Sequence, residues 1–440
     1  MSDQNRPLGC TGGDAPGGEC PIERVSRGGK VWQVVREWRD RLVGAGAPDW
    51  FSLEAAKGAE LVKDGFGRKT WRVSLGGDTV FAKVLELDRL SDRLKHWTLG
   101  SSAAREWRAS EKARQVGVPV VNFIGLGVGG GPLRVVLLTE GLDKANGLAD
   151  AWRTFVEDRR DGERRAAAVA IIEAVGTLVG RAHERGFVHG DEHSHNILLT
   201  GGESSGQFEA YYADIHAARF RSKPVSVRSA LRSLAQLDQY FHRVATRAER
   251  LRFLRCYVRH RRTLRRELES PARQRAFLSR LAEVERSRAT ILARQRDRRL
   301  GREGKFFQTL TLGEGWTVTV AMTLERRHVF PEADVPDRTE DEWRSILEPL
   351  LCGSSLPASG EVVSAGGVLV QVEDVGGLLA RVRANWFKRP HRRAFEQCHR
   401  SRHRDIHAEL ILGYGEHRTS GLIDRTVLVR PQRVAASAEC

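Results

Sequence analysis

Two periodicities of apolar residues alternate along the chain and predict an α+β protein. Residues 71–75 alternate apolar with polar side chains, two glycines follow, and residues 79–85 continue as a second apolar run. Period-two alternation on both sides of a glycine turn is typical of a β-hairpin. A further strand is predicted at residues 134–139, ahead of a connector at Glu140.

Helical spacing dominates the region that follows the hairpin. Residues 101–115 predict a helix that ends before Gly117 and Pro119. Residues 166–185 place apolar side chains on one helical face and predict a long core helix. A loop and a short strand pair follow, so the predicted order is sheet, helix, strands, long helix, loop and hairpin.

The remaining segments differ in composition from this central part. Residues 1–30 are Gly-rich and polar, and we expect them to be disordered. Residues 226–299 are helical in pattern and strongly basic, and strands return at residues 305–324. Residues 376–381 resemble residues 76–83, which predicts a weak internal repeat.

Composition favours a globular protein in a reducing compartment. With 440 residues, of which 40% are hydrophobic, the chain can form two or three domains. It has no apolar run of eighteen residues and no apolar stretch near its start, so we expect neither a membrane span nor secretion. The six cysteines include no C-x-x-C pair, which disfavours a zinc site or a disulfide framework and favours the cytoplasm.

The charge balance predicts an anionic partner. Lys and Arg number 72 against 56 Asp and Glu, a net charge of +16. Nucleic acid, an anionic membrane leaflet and a phosphorylated glycolipid are all consistent with this excess, and so is a merely solvated Arg-rich surface. Because no stacking motif with interleaved aromatic residues occurs, nucleic acid is disfavoured.

Three side chains in and after the predicted loop suit phosphoryl transfer. Asp191 lies in a turn where a carboxylate can orient a hydroxyl or accept its proton. Asn196, five residues later, offers an amide oxygen to a hard Mg²⁺ ion, and Asp214 offers a charged oxygen ligand. Taken singly, each residue type is more often a turn or cap residue, and the hypothesis rests on their order and spacing.

The predicted N-terminal sheet supplies candidates for the phosphate site. Lys83 lies within an apolar strand, where its ammonium can bind phosphate oxygens, and Glu106 on the next helix can hold it. Gly65 and Gly67 precede a strand and are compatible with a phosphate-covering loop. We assign these four residues and Glu140 to ATP binding.

Four histidines near the loop suggest a second interpretation, a metal site. These are His189, His193, His195 and His216. Without thiolates nearby, the carboxylate and amide set suits Mg²⁺ better than Zn²⁺. We expect His189 to be packed and bonded to the backbone, and His193 and His195 to approach phosphate or substrate.

Several motifs together are similar to those of the protein-kinase-like fold and, within it, of the lipopolysaccharide kinase (Kdo/WaaP) family. The resemblance covers about half of the chain, from about residue 53 to residue 260. The motifs are Val-Phe-Ala-Lys at 80–83, Ala-Arg-Glu-Trp at 104–107, Gly-Val-Pro at 117–119, His-Gly-Asp at 189–191, Asn-Ile-Leu-Leu at 196–199 and Ala-Asp-Ile-His at 213–216.

The resemblance implies a role for each candidate residue. Asp191 is the catalytic base, Asn196 and Asp214 are Mg²⁺ ligands, and Lys83 pairs with Glu106 at the ATP phosphates. Two departures from protein kinases stand out: a glycine replaces the usual Arg in the catalytic motif, and the metal motif reads Asp-Ile-His instead of Asp-Phe-Gly. No Ala-Pro-Glu segment follows, which disfavours a peptide substrate.

The resemblance also implies a bilobal architecture, with a β-rich N-lobe at residues 31–140 and a helical C-lobe at residues 141–300. For residues 301–440 we expect an α+β region that is either a degenerate second N-lobe or an unrelated appendage. In the first case Arg381 stands where Lys83 stands, and Asp405 stands roughly where a helical Glu would be.

The expected function is transfer of the γ-phosphoryl group of ATP, with Mg²⁺, to a hydroxyl of a lipopolysaccharide-core sugar (heptose or Kdo) or another glycolipid. The basic helices then favour peripheral contact with the anionic inner face of the cytoplasmic membrane. The alternatives are a pseudokinase or scaffold that binds an anionic partner, and a kinase for proteins or small molecules.

Overall fold

The computed structural model describes residues 22–65, 68–87, 101–129, 133–142, 144–157, 161–202, 206–323, 325, 338–353, 356–387 and 390–432. The chain forms two compact units, Met1–Glu285 and Arg286–Cys440. Gly67 of the predicted glycine loop lies outside the described residues.

The first unit begins with a seven-stranded antiparallel sheet in the order β1-β2-β6-β7-β5-β4-β3. The hairpin predicted at residues 71–85 is confirmed as β4 and β5. The strands are β1 (Ile22–Arg27), β2 (Lys30–Val35), β3 (Ala59–Gly65), β4 (Arg68–Leu75), β5 (Asp78–Glu86), β6 (Phe123–Gly129) and β7 (Arg134–Glu140).

Two described helices accompany this sheet, α1 (Arg39–Val43) and α2 (Ser102–Gln115), and α2 packs on β6 and β7. The hydroxyl of Ser101 caps α2 by accepting the backbone N–H of Ala104 at 3.0 Å. Gly117, with φ +68°, ends the helical segment, as the sequence predicted.

The first strand corrects the expectation that residues 1–30 lack structure. Ile22–Arg27 pairs residue by residue with β2 at the edge of the sheet. This pairing uses backbone hydrogen bonds that β2 offers on its outer side, and residue composition does not reveal them. Residues 1–21 lie outside the described part of the chain.

Helices and three short strand pairings make up the rest of the first unit. The strands are β8 (Asn146–Gly147), β9 (Phe187–Val188), β10 (Ile197–Gly201), β11 (Phe208–Tyr212) and β12 (Arg219–Phe220). The helices are α3 (Leu148–Trp152), which continues as one π-helical turn, α4 (Asp161–Glu184), α5 (Val227–Val244), α6 (Arg247–Arg259), α7 (Arg262–Glu267) and α8 (Pro271–Asp297), whose residues from Arg286 onward belong to the second unit.

The predicted long core helix is α4. Its residues Ile171, Val175 and Val179 are 0–3% exposed, and α4 packs against α6. By length and composition, residues 162–184 are the one described helical segment apolar enough to cross a membrane. The burial of its apolar face inside this unit is that of a core helix.

The second unit contains a six-stranded antiparallel sheet in the order β13-β14-β17-β18-β16-β15. The strands are β13 (Phe307–Thr311), β14 (Trp316–Ala321), β15 (Val362–Ala365), β16 (Val368–Asp374), β17 (Gly413–Thr419) and β18 (Leu422–Pro431). The main described helices are α9 (Glu340–Leu351), α10 (Leu378–Trp386) and α11 (Pro390–Arg402). The expected α+β content of this region is therefore confirmed.

The proposed internal repeat is wrong in its details. Arg381 lies on α10, whereas Lys83 lies on a strand. The backbone N–H of Ala380 bonds to the Gly377 carbonyl at 2.8 Å, so the paired glycines begin a helix instead of a hairpin turn. Asp405 has a left-handed backbone (φ 57°) in a turn after α11 and is not on a helix as Glu106 is.

Three helices of the first unit share one ion-pair network. Arg250 of α6 binds Asp238 of α5 (Nη2 to Oδ2, 2.5 Å) and Glu285 of α8 (Nη2 to Oε2, 3.4 Å). Burial and the charge of Asp238 raise the pKa of Glu285 to about 7, although Arg250 acts in the opposite direction. Folding therefore favours the protonated carboxyl group.

This network predicts a pH-dependent effect of Glu285→Gln. The pKa of Glu285 is raised by folding, so its contribution to stability is complete below the ordinary value of 4.5 and is lost as the pH rises through about 7. The variant should therefore gain thermal stability relative to the native protein at pH 8 and gain less at pH 5. Glu283→Gln, an exposed change on the same helix, is the control. Melting differences that do not change with pH would contradict the expectation.

Candidate active site

The buried ion pair between Lys83 and Glu106 lies at the centre of the candidate site. Lys83 Nζ on β5 is 2.8 Å from Glu106 Oε1 on α2. Glu106 is 2% exposed and the Lys83 side chain 16% exposed. A buried carboxylate without a cation is costly, so this pair fixes α2 against the sheet and holds the ammonium in place.

Asp214 lies next to this pair. Its Oδ1 is 3.9 Å from Lys83 Nζ, and its Oδ2 is 3.6 Å from Arg68 Nη2. His216 Nδ1 lies 2.9 Å from Asp214 Oδ1. Asp214 has a left-handed backbone (φ 53°), a conformation that residues other than glycine rarely adopt.

These neighbours keep Asp214 ionised. Burial alone would raise its pKa, but the hydrogen bond with His216 and the charges of Lys83 and Arg68 lower the pKa well below its usual range. The same hydrogen bond raises the pKa of His216. The site therefore offers a carboxylate that remains charged throughout the physiological pH range.

The loop between β9 and β10 carries Asp191 and Asn196. Asn196 Nδ2 donates to the Asp191 carbonyl oxygen at 2.8 Å and approaches its Oδ2 at 3.4 Å. The Asn196 carbonyl oxygen accepts the backbone N–H of Ala213 at 2.9 Å. This bond joins the loop to the residue before Asp214, so the two predicted metal ligands are brought together by the β10–β11 hairpin.

The buried side chain of His189 bonds to the backbone of the loop, as the sequence predicted. The residue is fully buried, and its Nε2 lies 2.9 Å from the Ala213 carbonyl oxygen, to which it donates. Its Nδ1 accepts the backbone N–H of Asp191 at 3.3 Å. Because both ring nitrogens form hydrogen bonds with backbone atoms, His189 positions Asp191 and does not act as a metal ligand.

Asp191 itself is oriented by a helix far away in sequence. Gln236 of α5 donates from Nε2 to Asp191 Oδ1 at 2.8 Å, and His193 Nε2 lies 2.9 Å from the same oxygen. The Asp191 side chain is 42% exposed. An acceptor hydroxyl can therefore reach a carboxylate whose direction is already set.

Glu192 belongs to the same loop, and its side chain is buried. Its carboxylate accepts hydrogen bonds from the hydroxyls of Tyr212 and Ser233. Burial alone would raise its pKa, whereas His183 and the two hydroxyls lower the pKa to about 2. The buried charge ties the loop to β11 and α5.

Gly65 of the predicted glycine loop and Glu140 of the predicted connector both lie at strand ends. Gly65 ends β3 and pairs with Arg68, the first residue of β4, whose side chain reaches Asp214. Glu140 ends β7, and its Oε2 accepts a hydrogen bond from Asn122 Nδ2 at 2.7 Å. The assignment of Gly65 and Glu140 to ATP binding stays a prediction.

Three participants were missed by sequence reasoning: Arg68, Glu192 and Gln236. Arg68 directly follows Gly67 in the sequence, but its approach to Asp214 depends on the β3–β4 pairing. Gln236 lies 45 positions from Asp191, and an isolated glutamine in a helix carries no motif. Glu192 lay inside the predicted loop, and only its burial distinguishes it from a solvated residue.

Similarity to known proteins connects this geometry to a family. Residues 66–257 match the model of the lipopolysaccharide kinase (Kdo/WaaP) family. We call this matched region the Kdo/WaaP domain. The matched range contains Lys83, Glu106, Asp191, Asn196 and Asp214, and the expected phosphotransferase class is confirmed by this match.

Among solved structures, the chain is similar to one titled WaaP in complex with acyl carrier protein. The sequence identity is 25% and the TM-score 0.39, with coverage of 57% of this chain and 96% of that chain. No curated protein matches.

The residues of the Kdo/WaaP domain fit the ATP and Mg²⁺ that kinases of this type use. Asp214 supplies ionised oxygens, and Asn196 supplies an amide oxygen while its nitrogen is bonded to Asp191. An oxygen donor set of this kind suits Mg²⁺. Lys83 and Arg68 place cationic groups beside Asp214, where phosphate oxygens that share the metal would lie.

The catalytic motif requires glycine at position 190 for a geometric reason. Gly190 has φ +83°, and a Cβ there would lie 2.4 Å from the Ala217 carbonyl oxygen. The arginine typical of protein kinases therefore cannot occupy this position with the same backbone.

Gly190→Ala tests this constraint. The variant should lose about 3 kcal/mol or more of unfolding free energy, because strain at positive φ adds to a backbone clash. Gly206→Ala is the matched control, since Gly206 also has positive φ (+61°) but a Cβ there would meet no atom within 4 Å. It should lose only about 1 kcal/mol. Equal losses in denaturant unfolding would show that the Ala217 carbonyl imposes no constraint.

Proposed function

We propose that the Kdo/WaaP domain transfers the γ-phosphoryl group of ATP to a hydroxyl of a lipopolysaccharide-core sugar. The observation that carries the proposal is the joint placement of an exposed, oriented Asp191 and an ionised Asp214 held beside Lys83. Phosphoryl transfer requires a positioned hydroxyl and cations on the phosphate oxygens, and little covalent chemistry.

Each side chain has a defined task in this proposal. Asp191 Oδ1 is held by Gln236, so the carboxylate can accept a hydrogen bond from the acceptor hydroxyl and take its proton as the hydroxyl attacks. Lys83 binds phosphate oxygens while Glu106 fixes its position. Bound Mg²⁺, held by Asn196 and Asp214, would neutralise phosphate charge.

The sugar acceptor, heptose or Kdo, is proposed from the family match. The absence of an Ala-Pro-Glu segment in the sequence is consistent with a non-peptide acceptor.

Asp191→Asn should lower phosphate transfer by about 10²- to 10⁴-fold, because the amide cannot accept the hydroxyl proton. The measurement is transfer of labelled phosphate from γ-labelled ATP, with Mg²⁺, to purified lipopolysaccharide whose core sugars have been dephosphorylated, with mass spectrometry to locate the modified sugar. Asp341→Asn, an exposed change on α9, is the control and should retain full activity.

Transfer to protein alone would replace the sugar proposal with a protein kinase. Binding of ATP without transfer to any acceptor, unchanged in Asp191→Asn, would support the pseudokinase alternative.

We further propose that this chain meets its acceptor at the anionic inner face of the cytoplasmic membrane. Helix α10 exposes a continuous apolar stripe, with Leu379 87% and Trp386 82% exposed. Leu378 and Val382 lie on the same face, because their spacing from these residues matches the helical repeat. Apolar side chains next to basic ones are typical of a helix that lies in a membrane interface.

Positive charge supports the same partner. Arg383 of α10 lies over the Phe387 ring, 5.8 Å from its centroid, and the chain carries a net charge of +16. The first unit has exposed arginines of its own on α6 and α7, including Arg255, Arg262 and Arg266. Each basic residue near an anionic surface contributes about 1 kcal/mol.

Leu379→Glu should weaken binding to vesicles of phosphatidylglycerol and phosphatidylethanolamine by about tenfold, because a side chain that enters the lipid is replaced by one that the anionic lipid repels. Val362→Glu is the matched control, since Val362 is 50% exposed on an edge strand of the same unit. Vesicle sedimentation at several salt concentrations measures the binding. Equal vesicle binding by both variants would contradict the membrane role of α10. Self-association of the native chain that Leu379→Glu abolishes would also contradict it.

A further inference from the structure

Three buried side chains converge in the second unit, outside the kinase domain. They are Glu325, His399 and His403, and their ligand atoms all lie within 4.8 Å of one another. Glu325 Oε1 is 3.0 Å from His399 Nδ1 and 2.8 Å from His403 Nε2. Both imidazole side chains are 0% exposed and Glu325 is 3% exposed.

The two histidines are arranged by one helix. His399 lies in α11, and His403 follows its last residue while its backbone N–H still bonds to the His399 carbonyl at 2.8 Å. Residues four apart on a helix lie on the same face. This spacing is the one by which a helix presents two imidazoles to a single metal ion.

The outward-facing ring nitrogens have oxygen partners. His399 Nε2 lies 3.1 Å from the Ile411 carbonyl oxygen, and His403 Nδ1 lies 2.9 Å from Asp297 Oδ1. Arg404 in turn binds Asp297 Oδ2 at 2.5 Å. Metal-ligating histidines almost always donate their second N–H to a carbonyl or carboxylate in this way, which fixes the ring and its tautomer.

Counting donors points to a cation at the centre. All four ring nitrogens face oxygens that only accept hydrogen bonds, whereas two neutral imidazoles have two N–H groups between them. If both imidazoles are neutral and the outer oxygens use those two N–H groups, both inner lone pairs face Glu325. The lone pairs and the carboxylate would repel one another. A divalent ion bound by the two nitrogens and the carboxylate would replace that repulsion with three coordinate bonds.

We propose that Glu325, His399 and His403 form a site for a zinc-class divalent cation. Two neutral imidazoles and one carboxylate are a common zinc donor set, whereas an all-oxygen set suits Mg²⁺. The site is separate from the Asn196 and Asp214 pair of the kinase domain. Its burial favours a structural role, in which the ion joins α11 to the residue at 325.

The first experiment uses the native full-length chain. After dialysis against a chelator, the protein should bind one equivalent of Zn²⁺ by calorimetry and metal analysis, with a rise in melting temperature. Co²⁺ in place of Zn²⁺ should give the intense visible bands of a low-symmetry, four-coordinate site. Neither readout depends on kinase activity.

Variants then assign the site. His403→Ala should abolish binding, and His407→Ala, an exposed histidine nearby, should leave it unchanged. Asp297→Asn, which changes the shared partner of His403 and Arg404 but none of the three proposed ligands, should weaken Zn²⁺ affinity by about 10- to 100-fold in a folded protein. This milder change remains informative if His403→Ala does not fold.

A folded native protein that binds neither Zn²⁺ nor Co²⁺ and shows no change in melting temperature would overturn the proposal. The cluster would then be a hydrogen-bonded ion network in which both imidazoles are protonated against Glu325 and Asp297. Binding that His407→Ala removes as effectively as His403→Ala would also overturn it, because the ion would then lie elsewhere.

Discussion

A carboxylate buried beneath a β-sheet needs a cation, and in the first unit Lys83 supplies it to Glu106. Breaking such a pair by removing one partner leaves an uncompensated buried charge, which typically costs about 3–5 kcal/mol. The pair therefore fixes the distance between α2 and β5. It also leaves the ammonium close enough to Asp214 to keep that carboxylate ionised.

The rest of the site depends on this arrangement through the backbone of the β10–β11 hairpin. Asn196 and Ala213 are hydrogen-bonded across the hairpin, and His189 bonds to both Ala213 and Asp191. Asp191 and Asp214, the carboxylates proposed to bind the acceptor hydroxyl and the metal ion, are thus held by one small framework. Gly190 makes the framework possible, since a side chain there would strike the carbonyl of Ala217.

The sequence predicted the parts of this site that lie close together along the chain or follow a fixed order of elements. Lys83, Glu106, Asp191 and Asn196 are recognisable because each sits at a defined place in a strand, helix or loop. Gln236 was missed, because its contact with Asp191 depends on the position at which α5 packs against the loop. Local patterns do not contain such packing information.

Two errors about the fold have equally physical causes. The strand Ile22–Arg27 forms because β2 offers it a row of backbone partners, so tertiary pairing overrides a polar composition. The segment at Gly376 and Gly377 looked like a hairpin turn, but Leu378–Trp386 places its apolar residues at helical spacing. A glycine pair can precede either element, and the periodicity that follows it decides between them.

The proposed role of the cluster of Lys83, Glu106 and Asp214 is to bind the phosphates of Mg²⁺-bound ATP. Its most direct test is the dissociation constant of ATP, measured by calorimetry with and without Mg²⁺, for the native chain and for Glu106→Gln and Asp214→Asn. We expect Mg²⁺-dependent binding that both variants weaken by about tenfold or more while the protein stays folded. Equal affinity in all three proteins, or binding that ignores Mg²⁺, would contradict it.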